Sequence, residues 1–183
     1  MALVIMTGAS GSGKTAIAKT IAESHPLITV FRFDTIGVPS AEVMASFGGG
    51  HMPGGAWQRA TTFKWLERIA PMLDEGKTVL FEGQMRIAFI REALAAFRIE
   101  SARVLCVECD DSTRTRRLTY DRHQPELADE NMMGWSRYLH QEALEAGCEI
   151  LDTTTLSLAE SVRYVLSILE GHPDAISPGC SSK

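Results

Sequence analysis

The chain alternates between short apolar runs and longer stretches in which apolar residues recur every three to four positions. Short runs of this kind predict buried β-strands, whereas the longer stretches predict helices with one apolar face. Because helices separate the strands, we predict an α/β fold with a parallel sheet covered by helices on both faces. The predicted strands are 3–6, 27–33, 78–81, 104–107 and 148–151.

Capping residues, glycine and proline indicate where the helices begin and end. Ser157 and Glu160 form a capping-box pattern at the start of the last helix, which ends at Gly171. We predict a single domain over residues 1–171 and a flexible tail over 172–183. The predicted helices cover 15–24, 40–47, 56–75, 86–97, 110–122, 130–146 and 157–171.

One stretch carries a chemical motif. Residues 8–15 read Gly-Ala-Ser-Gly-Ser-Gly-Lys-Thr between the first predicted strand and the first predicted helix, and they match the P-loop pattern. Its glycines let backbone N–H groups converge on a phosphate, and the helix directs its positive end at the same anion. Lys14 would bind the outer phosphates, and the Thr15 hydroxyl would bind Mg²⁺. The predicted nucleoside triphosphate site comprises Gly8, Ala9, Ser10, Gly11, Ser12, Gly13, Lys14, Thr15 and Ala16.

Composition narrows the class of protein. The 183 residues are 45% apolar and 22% charged, an ordinary globular profile. No apolar run approaches the ~20 residues of a membrane span. The N-terminal residues show no signal-peptide pattern, so we expect a cytoplasmic protein. The net charge of -5 disfavours non-specific nucleic-acid binding.

Cys106 and Cys109 form a C-x-x-C pattern, which also occurs in metal and redox sites. Here the pattern falls in a predicted strand, where positions three apart point to opposite faces. Neither Cys148 nor Cys180 has a partner at zinc-site spacing. We therefore interpret Cys106 and Cys109 as buried apolar side chains.

Acidic residues follow the second and third predicted strands, at the edge where open α/β sheets bind ligands. Asp34 ends the second strand, and a turn carboxylate is the alternative interpretation. Glu82 ends the third strand and precedes Gly83 and Gln84. In this position Glu82 can hold a water molecule that binds Mg²⁺, and Gly83 allows a ligand to approach the backbone closely. Arg86 begins the next helix, where a cation suggests a bound anion; solvation is the alternative.

The segment between these two strands is longer than a plain crossover requires. We predict a substrate-holding insert over about 35–77, with a glycine-rich hinge at 48–50 and 54–55. Trp57, Gln58 and Arg59 would face the cleft, and core packing is the alternative for Trp57.

An arginine-rich segment forms a predicted lid over about 112–130, on a helix that Asp110 or Asp111 caps. Arginine suits phosphate contacts and transition-state charge, whereas a solvated face is the usual explanation of a charge run. The arginines are Arg114, Arg116, Arg117 and Arg122.

The combination of the P-loop, the strand-end acids and the arginine segment resembles the small P-loop kinases. These are the nucleoside monophosphate, shikimate and gluconate kinases and the zeta-toxin and polynucleotide kinase groups. The resemblance implies a three-layer fold with strand order 2-3-1-4-5, an Asp34 that binds or deprotonates the phosphate acceptor, and an acceptor site at 82–86. It also implies lid roles for Arg117 and Arg122 and an adenine-packing loop at 152–156 that contains Thr153 and Thr154.

These features predict an ATP- and Mg²⁺-dependent phosphotransferase whose acceptor is a hydroxyl or phosphate of a small molecule. The alternatives are a nucleoside triphosphatase or switch that uses Glu82, and a catalytically silent ATP-binding regulator. The oligomeric state, monomer or homodimer, stays open. The predicted catalytic residues are Lys14, Asp34, Arg117 and Arg122, and Arg114 is predicted to bind ATP. The residues predicted to bind the acceptor are Asp34, Trp57, Arg59, Glu82, Gly83, Gln84 and Arg86.

Overall fold

A computed structural model of the chain describes residues 2–37, 40–46 and 54–171. Its strands are β1 (Leu3–Thr7), β2 (Ile28–Arg32), β3 (Thr78–Glu82), β4 (Ala102–Glu108) and β5 (Glu149–Asp152). They form one sheet in the order β2-β3-β1-β4-β5, and all neighbouring strands are parallel. The predicted α/β fold and strand order are thus confirmed.

The helices follow the predicted pattern closely. A π-helical segment, Arg117–Asp121, continues the fifth helix, and short 3-10 turns lie at Phe33–Ile36 and Pro125–Leu127. The cap of the fifth helix is Asp110, whose carboxylate accepts a hydrogen bond from the Thr113 N–H at 2.6 Å. The α-helices within the described ranges are α1 (Lys14–Ser24), α2 (Ala41–Ser46), α3 (Gly55–Asp74), α4 (Ile87–Ala96), α5 (Asp111–Arg116), α6 (Glu130–Glu145) and α7 (Leu158–Leu169).

The hydrophobic core lies on both faces of the sheet. In β1, Val4 and Met6 pack toward α1 and α7, whereas Leu3 and Ile5 pack toward α3 and α4, and all four side chains are fully buried. Successive strand residues point to opposite faces, so a strand covered on both sides must be apolar throughout. This explains why the strands are continuous apolar runs in the sequence.

The second strand is shorter than predicted. Leu27 is 92% exposed, and the strand ends at Arg32, where the 3-10 turn with Asp34 begins. Phe33 is nevertheless buried, and its carbonyl accepts a hydrogen bond from Trp65 Nε1 at 3.2 Å. An apolar run alone does not distinguish a strand from a buried turn, and this accounts for the difference.

The interpretation of Cys106 and Cys109 as buried side chains is confirmed. Both are buried, and burial raises the pKa of the Cys106 thiol to about 12. The predicted hinge residues 48–50 and the tail at 172–183 lie outside the described residues. The hinge residues Gly54 and Gly55 are described and start α3, with φ of 80° and 65°. Within the described part of the chain, none of the helices has the length and apolar character needed to span a bilayer.

Candidate active site

A cleft of about 420 Å³ opens at the carboxyl ends of the strands. The P-loop follows β1, Asp34 follows β2 and Glu82 ends β3, so neighbouring strands bring all three to one edge. The cleft is lined by Ser10, Gly11, Gly13, Lys14, Thr15, Ala16, Ile17, Asp34, Glu82, Gly83, Gln84, Arg117, Asp121, Arg122, Thr153, Leu156, Leu158 and Ser161.

The P-loop presents a helix N-terminus to this cleft. Gly13 precedes α1 with φ of 101°, without a side-chain cap and without an acidic residue in the first helical turn. The first N–H groups of the helix therefore lack a protein partner, which suits an anion. Gly8 allows the loop to pass close to β4, because a Cβ there would lie 2.0 Å from the Val107 carbonyl oxygen.

Lys14 carries a buried positive charge beside these N–H groups. Its side chain is 6% exposed, and Nζ donates to the Ala9 carbonyl at 2.9 Å and to Ser12 Oγ at 3.3 Å, both neutral. Burial lowers the pKa of Lys14 to about 8, although the charge of Glu82 acts in the opposite direction. A poorly compensated ammonium next to an uncapped helix fits the phosphate groups of a nucleotide.

Glu82 lies on the same side of the cleft as Lys14 and Thr15. Burial raises the pKa of its carboxyl, while the Lys14 charge and a hydrogen bond with the Thr15 side chain lower it. No group of three or more His, Cys, Asp or Glu in the described ranges could hold a metal ion. The Thr15 hydroxyl and the Glu82 carboxylate fit Mg²⁺ instead, because this ion takes few protein ligands and keeps waters and phosphate oxygens.

Asp34 is exposed and lines the cleft from the 3-10 turn after β2. Gly83 brings the end of β3 against this turn, because a Cβ at Gly83 would lie 2.3 Å from Phe33 Cβ. The glycine that we predicted to admit a ligand thus also has a packing role: it fixes the distance between the two strand-end acids.

Gln58, which we predicted to face the cleft, is not among the lining residues but supports the residues that are. It is buried in α3, where its Nε2 donates to the Gln84 carbonyl at 2.7 Å and its Oε1 accepts from the Arg86 N–H at 2.9 Å. Gln84 Oε1 in turn accepts a hydrogen bond from Ser10 Oγ at 3.2 Å. Gln58 thereby connects the insert to the P-loop.

The arginines of the predicted lid occupy different positions. Arg117 and Arg122 line the cleft, and Arg117 donates to the Thr153 carbonyl and to Thr153 Oγ1, each at 2.9 Å. Arg114, which we predicted to contact ATP, is instead fully buried behind the P-loop and donates to the Ser10 carbonyl at 2.7 Å. A buried guanidinium needs hydrogen-bond acceptors, and the Ser10 carbonyl supplies one to Arg114 on the inner side of the loop.

Two arginines predicted on the acceptor are held by carboxylates outside the cleft lining. Arg59 forms an ion pair with Glu92 at 2.6 Å, and Arg86 forms one with Glu142 at 3.0 Å. Glu142 also accepts a hydrogen bond from the Ile87 N–H at 2.8 Å. The anion expected at the start of α4 is therefore a side chain of α6.

Of the remaining predicted residues, some do not line the cleft. Trp57 packs edge-on against Phe33, with ring centroids 5.6 Å apart, which matches the core alternative. Thr154 Oγ1 bonds with Asp152 at 2.6 Å instead of lining the cleft. Gly8, Ala9 and Ser12 shape the loop but are not among the lining residues, whereas Leu158 and Ser161 line it and were not predicted.

No protein-family model matches the sequence, and no curated protein matches it. Solved structures do match. A sugar kinase from Janibacter is 19% identical with a TM-score of 0.69, over 97% of this chain and 99% of that one. The shikimate kinase of Acinetobacter baumannii, solved with shikimate, is 16% identical with a TM-score of 0.62, over 93% and 94%. The fold is that of the small P-loop kinases.

A gluconokinase from Sinorhizobium meliloti shares this P-loop kinase fold, at 19% identity and a TM-score of 0.59 over 93% of this chain and 92% of that one. The predicted resemblance is thus confirmed at the level of the fold. One fold hosts many reactions, so the activity depends on the residues of the cleft itself.

Proposed function

We propose that the protein is an ATP- and Mg²⁺-dependent phosphotransferase that acts on a hydroxyl group of a small molecule. The supporting observation is that one cleft is lined by Lys14, by the uncapped start of α1 and by the exposed carboxylate of Asp34. Cationic and carboxylate groups that line one cleft suit a phosphate donor and a hydroxyl acceptor.

In this proposal the P-loop N–H groups and Lys14 bind the β- and γ-phosphates, and Arg117 and Arg122 approach the transferring group. Thr15 would bind Mg²⁺ directly and Glu82 would bind it through a water molecule, and the ion would neutralise phosphate charge. Leu156 and Leu158 offer apolar surface to the base. Asp34 accepts the proton of the acceptor hydroxyl or orients it.

The affinity for a non-hydrolysable ATP analogue should fall as the pH rises above about 8. In the free protein the pKa of Lys14 is lowered to about 8, whereas bound phosphates favour the protonated ammonium and raise this pKa. Above about pH 8 the nucleotide therefore binds together with a proton, and binding weakens as protons become scarce. We expect about a tenfold loss per pH unit until the pKa of the complex is reached. Calorimetry between pH 7 and 10 measures the loss, and Lys14→Arg, which stays charged, should not show it. A pH-independent wild-type affinity would contradict the role of Lys14.

The charges at the acceptor end favour an acceptor without a carboxylate or phosphate. Residues 33–58 contain neither lysine nor arginine. The next cations, Arg59 and Arg86, are paired with Glu92 and Glu142. Among the described residues from 33 to 86, the charged groups that line the cleft are Asp34 and Glu82. Because Glu82 lies near Lys14, Asp34 is the group that would repel an anionic acceptor. The exposed Arg32 is not among the lining residues.

Matched acceptor pairs test this proposal. Transfer from radiolabelled ATP is measured to glucitol and gluconate, to methyl shikimate and shikimate, and to adenosine and adenylate. We expect the uncharged member to be preferred by about tenfold or more in kcat/KM. A preference for the anionic members would contradict the acceptor class but not the transferase activity. ATP hydrolysis without transfer to any acceptor would instead favour the hydrolase alternative.

A further inference from the structure

Arg114 is a buried arginine that forms no ion pair with any residue the structure describes. The side chain is fully buried, and Nη2 donates to the Cys109 carbonyl at 3.0 Å and to Ser136 Oγ at 2.6 Å. Nη1 donates to the Ser10 carbonyl at 2.7 Å, while Nε has no partner in the described part of the chain. All of its partners are neutral. A charge held in this way is costly unless something else balances it.

The described carboxylates do not provide that balance. The ion pairs found among residues 2–37, 40–46 and 54–171 do not include Arg114. Asp110, which precedes it by one helical turn, uses its carboxylate to cap α5. The charge of Arg114 is therefore available to act on a ligand.

The position of Arg114 directs that charge at the P-loop. Its side chain packs behind Gly11, where an added Cβ would lie 3.0 Å from Arg114 Cγ. By holding the Ser10 carbonyl, it orients the planar peptide so that the Gly11 N–H points away from the guanidinium. The charge of Arg114 also contributes to lowering the pKa of Lys14, so the two cations act on the same region.

We propose that Arg114 is a positioning residue that acts through the P-loop: it fixes the loop from behind, and bound phosphates balance its buried charge. Arg114 then raises affinity in proportion to the phosphate charge of the ligand without touching it. This inference rests on the nucleotide-binding part of the proposed function and does not require phosphoryl transfer.

Two substitutions separate the charge from the hydrogen bonds. Arg114→Gln keeps a donor and loses the charge, whereas Arg114→Lys keeps the charge and loses the planar fork. We expect Arg114→Gln to weaken binding of a non-hydrolysable ATP analogue by about tenfold or more, ADP by less and adenosine not at all. Arg114→Lys should stay within about threefold of the wild type for all three ligands.

Ser136→Ala is the matched control, because it removes one neutral partner of Arg114 and leaves the charge in place. Its affinities should follow those of the wild type. Equal losses for the ATP analogue, ADP and adenosine in Arg114→Gln, or equal losses in the Gln and Lys variants, would mean that Arg114 has only a structural role and would overturn the proposal. Calorimetry measures the affinities, and thermal unfolding without ligand reports any structural cost.

The wild-type protein provides a second measurement should Arg114→Gln not fold. Because Arg114 is fully buried, its Nε–H should exchange slowly enough to give a resolved NMR signal, which the Lys variant identifies by its absence. Titration with inorganic pyrophosphate should shift this signal at the same concentrations that raise the unfolding temperature. An unchanged signal at saturating pyrophosphate would overturn the proposal, whether or not the protein transfers phosphate.

Discussion

Lys14→Ala should reduce phosphoryl transfer by at least ~100-fold, because it removes the buried ammonium that would stabilise the charge of the transferring group. The fold should survive the change. Among the described residues, the hydrogen bonds of Lys14 Nζ go to Ala9 and Ser12 of its own loop, and burial already disfavours its charged form. Removing the ammonium relieves its desolvation cost but also takes away the positive charge beside the buried Glu82. Because these effects oppose each other, we expect an unfolding temperature close to that of the wild type.

Lys19→Ala is the matched control for this experiment. Lys19 lies on the same helix, α1, but is exposed and pairs only with Glu23, at 3.9 Å. Its removal should change neither transfer nor stability appreciably, as is usual for an exposed ion pair. Near-normal transfer by Lys14→Ala, measured with radiolabelled ATP and the preferred acceptor, would be incompatible with a catalytic P-loop. Transfer lost together with the fold would mean that Lys14 is structural.

The P-loop and the strand-end acids could be predicted because their chemistry is encoded locally. The loop needs glycines at fixed spacing between a strand and a helix, and parallel strands place their carboxyl ends at one edge. Asp34 and Glu82 therefore fall in the cleft as soon as the strand order is known. Strand order itself followed from the resemblance and from five apolar runs alternating with helices.

The arginines were less predictable because their positions depend on distant partners. Arg86 and Glu142 are 56 residues apart, and Arg59 and Glu92 are 33 residues apart. A charge pattern along one helix contains no information about a carboxylate on another element. Arg114 illustrates the same limit, since its acceptor Ser10 is 104 residues away. The residue type indicated anion chemistry, and only the fold determined which arginines face the cleft.

These pairs also change the chemistry expected at the acceptor. A free Arg59 and a free Arg86 would have matched an acidic or phosphorylated acceptor. Their pairing with Glu92 and Glu142 leaves Asp34 and Glu82 as the charged groups that the described residues from 33 to 86 contribute to the cleft lining. The proposed acceptor, an uncharged molecule with a hydroxyl group, follows from this pairing of the two arginines.

Asp34→Asn should lower transfer to the preferred acceptor by about 10²- to 10⁴-fold, the range for loss of a general base. Asp34 is exposed and belongs to the turn after β2, not to the P-loop, so the affinity for an ATP analogue should stay close to that of the wild type. Steady-state transfer and calorimetric binding measure the two effects separately. Glu42→Gln, which neutralises an exposed carboxylate on α2, is the control.

Glu82→Gln provides the contrasting result. Glu82 is buried beside Lys14 and Thr15, so its neutralisation should weaken Mg²⁺-dependent nucleotide binding and lower transfer and hydrolysis together. A kinase in which Asp34 serves the acceptor should therefore lose transfer selectively in Asp34→Asn and both activities in Glu82→Gln. If the protein is a triphosphatase, Asp34→Asn should leave hydrolysis intact while Glu82→Gln abolishes it, with no acceptor transfer in the wild type. Small and equal effects of both substitutions would contradict both mechanisms, because neither strand-end acid would then take part in the reaction.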